Sequence, residues 1–469
     1  MALREIRFIV GFGLFHGWLI ALVTYTGQPP LGAGGPAASF ALALAGGMAS
    51  AAAFTLVPPQ RIRVLSTIAD GLVVGAPCLV LATFLAPTAP VALACCAVCG
   101  LLCGALHCLY GLASLAFPKH EFARIIALAT VVASAVAIAA MLVEEHLPPV
   151  WQALLLVALP LTAAFILRAA REAPGAAVLD RAGASGASGA PAHLAPRFVR
   201  LLVAVLIFDI VCRACDVFAT ARFTGFTASS IAMLSSHIMA AGLLLAPPLI
   251  ARKRGGLAFL YRFALPCAGA GFIVLALPIE GNALTHIAAV FLVGAGFEVI
   301  NLVAWVLTSY AAQISPRPSR YFGLYVLVTY AAMLVGRLAN LAALPYAGRH
   351  AAFLGLICIV ALTIVVLVVL PEDQILLFEE TLRLSQEEKA EGDAHRARCV
   401  TFAAARGLTE RETEVLDLLV RGRTLKVVAE RLTISKGTAG THIANIYRKC
   451  DVHTQQDLID LFEQFDGSY

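Results

Sequence analysis

Apolar residues in this chain come in long, nearly unbroken runs, not in the strict alternation of a half-buried strand. Each of twelve runs is long enough to cross a bilayer as a helix, for which about 20 mostly apolar residues suffice. They cover 6–26, 37–57, 64–86, 90–117, 125–143, 150–168, 198–220, 229–250, 257–278, 285–313, 321–344 and 351–370. The first run follows Arg4 and Arg7 and has the flank of a secretory signal. Its apolar part is too long for one and eleven more runs follow, so it reads as the first helix of a bundle. Beyond residue 370 the period changes to short stretches with one apolar face, the pattern of water-soluble helices.

Composition sharpens this division. Hydrophobic residues make up 60% of the 469 and charged residues 13%, against roughly 45–50% and 25% in soluble domains. Of the 29 acidic residues, 18 lie in the 98 residues after Pro371. The chain therefore predicts an all-α protein with a membrane domain over 1–370, a helical linker over 371–403 and a soluble domain over 404–469.

Loop charges orient the bundle, because short cytoplasmic loops retain Lys and Arg. One set of loops and flanks carries seventeen, from Arg4 and Arg7 to Arg317 and Arg320, and the opposite set carries Arg222 and Arg349. Both termini are then expected on the cytoplasmic side of a bacterial plasma membrane. A stretch rich in Ala, Gly, Ser and Pro between Arg171 and Pro196 reads as a flexible linker that divides the bundle into six plus six. This layout resembles the major facilitator superfamily, whose two six-helix halves flank a central site. The acidic and arginine signature of that family after its second helix is absent here, where the chain reads VPPQRIR.

Charges at membrane depth cost several kcal/mol on insertion scales and tend to face a cavity or one another. Asp209, Arg213 and Asp216 share one face of span seven, Glu298, Asn301 and Trp305 one face of span ten, and Arg337 and Asn340 lie in span eleven. Two readings stand side by side: an internal ion pair that fixes packing, or a cavity in which Arg213 receives an anionic group of a small-molecule ligand. Asp70, His107 and His237 read as isolated, hydrogen-bonded packing residues. Five cysteines between Cys95 and Cys108 lie in one apolar run and read as packing residues; Cys99 and Cys103 share a face, but no carboxylate completes a ligand set. No metal, cofactor or catalytic motif is implied.

In the tail, EDQILLFEETLRLSQEEKAEGD predicts a charged helix with a partial stripe of Ile375, Phe378 and Leu382. Four short helices follow. Thr409 and Glu412 have capping-box spacing, Thr424 precedes LKVVAERL, Ser435 precedes KGTAGTHIANIYRKC, and the last helix starts at Thr454. Two short helices joined by Thr433-Ile434-Ser435 have the layout of a helix-turn-helix.

The segment LTERETEVLDLLVRGRTLKVVAERLTISKGTAGTHIANIYRKCDVHTQQDLIDL resembles the LuxR-type helix-turn-helix domain, and the whole arrangement is similar to membrane-anchored LuxR-type regulators of some actinobacteria. The resemblance implies that the helix at 436–450 enters the major groove of double-stranded DNA and that the last helix helps a homodimer form. Lys436, Thr438, Thr441, His442, Asn445, Arg448 and Lys449 match the recognition helix of the family; Gly440 stands where a lysine is usual, followed by Ile443 and Ala444. From Arg406 onward nine basic residues meet ten acidic ones, but Arg421, Arg423, Lys426, Arg431, Lys436, Arg448 and Lys449 cluster about the motif with Glu430, and a local patch suffices for phosphate contacts. The expected function is a membrane-bound, one-component transcription regulator that senses a small molecule or an envelope condition. A secondary transporter with a DNA-binding tail is the alternative.

Overall fold

The structure is a computed structural model and describes residues 3–25, 35–58, 75, 88–115, 117, 119–146, 158, 162–163, 194–213, 226–245, 256–277, 283–315, 317–346 and 350–465. Apart from residues 75, 158, 162 and 163, spans 64–86 and 150–168 lie outside them. So do the linker residues 171–193, Asp70, Asp216, Arg222 and Arg349. The described residues are helical and contain no strand. They form two compact units, Met1–Leu382 and Arg383–Tyr469.

In the first unit the helices are α1 (Leu3–Tyr25), α2 (Gly35–Thr55), α3 (Ala89–Ser114), α4 (Lys119–His146), α5 (Leu194–Arg213), α6 (Phe226–Leu245), α7 (Gly256–Tyr261), α8 (Ala264–Ala276), α9 (Ala283–Ile314), α10 (Pro318–Ala343) and α11 (Ala351–Ile364). Seven described segments are long and apolar enough to cross a membrane, and Ser230–Leu245 is a shorter apolar helix. The predicted span 257–278 is broken into α7 and α8 at Arg262 and Phe263. Helix α11 passes into a π-helical stretch, Val365–Val369, just before Pro371, which has no N–H to continue a helix.

Helices α1 and α4 pair, as do α2 and α3, α6 and α9, and α8 and α9. Helix α10 packs on both α2 and α5, so an element from the second half of the sequence lies against one from the first. In lipid the hydrophobic effect gives no push between apolar helices, and close backbone approach through small residues takes its place. The α2–α3 contact is built this way: a Cβ on Gly100 would run into the Ala43 carbonyl oxygen, and one on Gly46 into that of Ala97. Among the described spans, helix α9 is the most enclosed, and it carries Glu298, Asn301 and Trp305 into the interior.

Helix α12 (Glu372–Ala405) begins within the first unit. Its stripe of Ile375, Phe378 and Leu382 is buried in that unit's core. Four anchors fasten this turn: Arg262 Nε to Glu372 Oε2 at 2.7 Å, the Tyr261 hydroxyl to the Leu370 carbonyl at 2.7 Å, the Leu257 amide to Glu379 at 3.2 Å, and Arg197 to the Leu377 carbonyl at 2.9 Å. The sequence presents the segment as part of a spacer; its first three turns are a packed element of the bundle, because the stripe has an apolar surface to cover.

The second unit contains the end of α12, then α13 (Glu410–Val420), α14 (Leu425–Leu432), α15 (Lys436–Cys450) and α16 (Gln455–Glu463). Its core comprises Phe402, Val415, Leu416, Leu419, Val428, Ile446, Leu458 and Phe462. Local chemistry sets the helix starts: Thr409 and Thr454 each form a capping box, and the Ser435 hydroxyl accepts from the Thr438 amide. Helix α14 ends on Thr433, which adopts a left-handed conformation at φ 55°, and α15 ends on Asp451 at the same φ.

The close α2–α3 contact leads to a direct expectation. Gly100→Val forces the helices apart and lowers stability by about 1–3 kcal/mol, seen as a lower melting temperature of the detergent-purified protein. Gly242→Ala, where an added Cβ meets nothing within 4 Å, serves as the control and leaves it nearly unchanged.

Candidate functional site

Among the described residues, the sequence-predicted polar side chains fall in two places: the surface of α15 in the second unit and the interior of the first.

Helix α15 follows the tight turn at Thr433, Ile434 and Ser435. Ala439, Ile446 and Cys450 are buried, which turns the opposite face outward. On that face Lys436, Thr438, Thr441 and Arg448 are exposed, and His442 and Asn445 are half-buried. Arg448 donates to Asn445 Oδ1 at 3.3 Å, and the Thr441 hydroxyl donates to the Gly437 carbonyl at 3.1 Å. Arg423, Lys426 and Arg431 are exposed, whereas Arg421 is held by Asp417 at 2.9 Å. A Cβ at Gly440 would meet Leu425 Cδ1 at an ordinary 3.6 Å, so packing does not demand glycine there.

Lys449 differs from the other matched residues. Its ammonium donates to the Gly407 carbonyl at 2.9 Å and to Glu412 Oε2 at 2.7 Å. Glu412 is almost fully buried and also accepts from the Thr409 amide at 2.8 Å. Burial works against its charged form, but the Lys449 ammonium and the Thr409 groups outweigh it and hold the carboxyl below its ordinary range. In this conformation Lys449 fastens α15 to the start of α13 and is not an outward-facing cation.

Inside the bundle, α5 supplies Asp209 and Arg213. The Asp209 carboxylate is fully buried, with the Asn301 side-chain amide of α9 and Arg213 as polar neighbours, and Arg213 Nε is buried without a hydrogen-bond partner. The guanidinium of Arg213 lies 5.9 Å from the centre of the Phe297 ring, and its stem packs on α10 where Gly336 leaves room. Thus Asp209 and Arg213, one turn apart, do not neutralise each other by direct contact. Asp216 lies outside the described residues. On α9, Glu298 Oε2 is 3.8 Å from His237 Nδ1 of α6, and Asn301 Oδ1 is 3.5 Å from the Tyr325 hydroxyl of α10. Asn340 is buried and Arg337 half-buried on α10.

The sequence singles out Trp305 and His107, but not His16, Tyr325 and Tyr330, which complete this cluster. His107 of α3 stacks on Trp305 of α9 at 5.4 Å between ring centres and meets His16 of α1 edge-on at 5.3 Å. Tyr325 lies edge-on to Trp305 at 5.3 Å. Neither nitrogen of His107 has a hydrogen-bond partner, and the same holds for His16 Nδ1, Trp305 Nε1 and the Tyr330 hydroxyl. His107 is therefore not the satisfied packing residue expected from the sequence, and His237 is not isolated. For His16, Tyr325 and Tyr330 the only signal in the sequence is a polar aromatic residue within an apolar run.

Residues 406–462 match the family model described as bacterial regulatory proteins, luxR family. Over 58 residues, 12% of this chain, the sequence is 41% identical to the uncharacterized response regulatory protein YgeK of Escherichia coli (strain K12), and the match spans 40% of that relative's length. Among solved structures, the chain is similar to the bacterial homologue of the iron transporter ferroportin in its outward-facing state. There the TM-score is 0.55 at 14% identity, over 82% of this chain and 100% of the other. It is also similar to the human organic anion transporter MFSD10 (TETRAN), with a TM-score of 0.56 at 12% identity, over 81% of this chain and 100% of that one. At such identities the likeness is one of fold.

The Glu412–Lys449 contact has a pH signature. A carboxyl held below its unfolded value, about 4.3 for Glu, stabilises the fold above that value, and the contribution is lost as pH falls through the folded pKa. Protection of the second unit against hydrogen exchange, corrected for intrinsic rates, should fall below about pH 4–5. Glu412→Gln should flatten that fall while lowering protection at neutral pH.

Proposed function

We propose that this chain, with a luxR-family regulatory domain at residues 406–462 and a major-facilitator-like bundle before it, is a membrane-bound, one-component transcription regulator. The observation that carries the DNA-binding part is the outward face of α15, where Lys436, Thr438, Thr441 and Arg448 stand exposed beside Arg423, Lys426 and Arg431. In this reading Lys436 and Arg448 contact phosphates, which position the domain, and Thr441 with Asn445 and His442 faces base edges, which specify sequence. Lys449 acts by holding α15 in place. Two copies pair on double-stranded DNA, and the C-terminus is cytoplasmic, where DNA is found.

The bundle interior is the proposed ligand site. Supporting this are the buried Asp209 and Arg213 of α5 and the unpartnered ring nitrogens of His16, His107 and Trp305, which meet one another from α1, α3 and α9. Buried polar groups are ordinarily hydrogen-bonded, so a small molecule carrying both an aromatic or apolar body and polar groups fits such surroundings. Arg213 receives an anionic group, with Glu298, Asn301 and Arg337 near the same interior. The bundle senses, and a ligand that binds one of its conformations better than another shifts their populations. Transport is the second reading, supported by the fold it shares with transporters; uptake of the regulating ligand into proteoliposomes would favour it.

Selection of DNA from a random pool by the full-length protein in nanodiscs tests the regulator reading and should recover a two-fold symmetric sequence. Lys436→Ala should weaken binding to all sequences alike and reduce the salt slope by about one, whereas Thr441→Ala should change which sequences are recovered. Recovery of no enriched sequence would overturn the reading. A reporter active only in cytoplasm should work when fused after Tyr469 and stay silent when fused after Gln28; silence at Tyr469 would overturn the orientation.

A further inference from the structure

We propose that His395, Cys399 and Asp417 form a binding site for a zinc-type divalent cation within the second unit. His395 and Cys399 lie one turn apart on α12 and share a face, and Asp417 reaches them from α13. His395 Nε2 is 3.5 Å from Cys399 Sγ and 3.0 Å from Asp417 Oδ1, and Cys399 Sγ is 3.9 Å from the same oxygen. Around a tetrahedral cation with bonds of about 2.0–2.3 Å, neighbouring ligand atoms sit roughly 3.3–3.8 Å apart. The trio is thus spaced for such a cation with shifts of a few tenths of an ångström.

The donor set is one sulfur, one imidazole nitrogen and one carboxylate oxygen, a mixture that suits zinc or cobalt better than magnesium or calcium. Three protein ligands leave the fourth position to water. Cys399 is buried, while the side chains of His395 and Asp417 are 26% and 32% exposed, so an entry path exists on their side. The imidazole is steadied by the Phe462 ring, 5.6 Å away between centres. On loading, Cys399 binds as thiolate and releases its proton to solvent, His395 binds as neutral imidazole and Asp417 as carboxylate. Arg421 Nε already donates to Asp417 Oδ1 at 2.9 Å; a carboxylate with about four lone-pair sites can keep that bond through its other oxygen. A bound cation fastens α12 to α13 within the DNA-binding unit, a contact otherwise made by hydrogen bonds alone at this point. The sequence hid the site because Asp417 is eighteen residues beyond Cys399 and on another helix.

Titration of the full-length, detergent-purified protein with cobalt(II) is the test. The expected result is a thiolate-to-cobalt charge-transfer absorption that saturates at one equivalent, with release of the thiol proton. Cys399→Ser should abolish the band, and Asp417→Asn, which keeps the side-chain shape, should weaken cobalt binding about 10- to 100-fold, a range that even indirect changes around a metal reach. Cys103→Ser, in α3 of the bundle, should leave the band intact. The proposal is overturned if the wild type shows no thiolate band, if the band survives Cys399→Ser, or if Asp417→Asn binds cobalt as tightly as the wild type. Should Cys399→Ser fail to fold, the aspartate variant decides alone.

Discussion

A backbone amide in hydrocarbon has no water to bond, so each segment that crosses the membrane must satisfy its own N–H and C=O groups. Everything in the first unit depends on this constraint. It makes the segments helical whatever their side chains prefer, and it leaves association to whatever lets the cylinders approach. Gly46, Gly100 and Gly104 allow backbones to touch where α2 meets α3. The constraint applies equally to side chains. Arg213 Nε and the ring nitrogens of His107 lie buried without hydrogen-bond partners, in a place where each such group raises the free energy of the bundle. The ring contacts that join His16, His107, Trp305 and Tyr325 across four helices distinguish a cluster from scattered polar defects.

The second unit obeys a different physics. Its solvent is water, its helices are short, and none would persist alone. The core around Phe402, Leu416, Val428 and Ile446 supplies the main stabilisation, and the ends of the helices are fixed by named side chains at Thr409, Ser435 and Thr454. The Glu412–Lys449 contact ties both schemes together: the same carboxylate closes the capping box of α13 and receives the ammonium from α15. A residue that matches a recognition motif thereby serves the architecture that presents the motif.

What was legible in the sequence follows from range. Capping at Thr409, the turn before Ser435 and the start at Thr454 depend on residues three apart, and all are found where the pattern puts them. The long apolar runs likewise identify a helical membrane bundle. Interior and lipid-facing sides of a membrane helix are both apolar, however, so the runs say little of which helix meets which, and the α10 contacts with α2 and α5 had no local signal. The encounter of His237 with Glu298 and the stack of His107 on Trp305 are products of that packing. Lys449 reads as a DNA contact until its partner, 37 residues earlier in the chain, is placed beside it.

Thr433 leaves one more consequence. It is β-branched yet holds φ at 55°, a region that costs a residue of this kind about 1–3 kcal/mol. The turn between α14 and α15 therefore holds its angle against the strain of its own backbone, and the packing of the helices on either side offsets that strain. Glycine would occupy the same dihedral without that load, but its unfolded chain would be freer, and the angle would be less narrowly enforced. The threonine thus gives up some stability at the turn that joins α14 to α15.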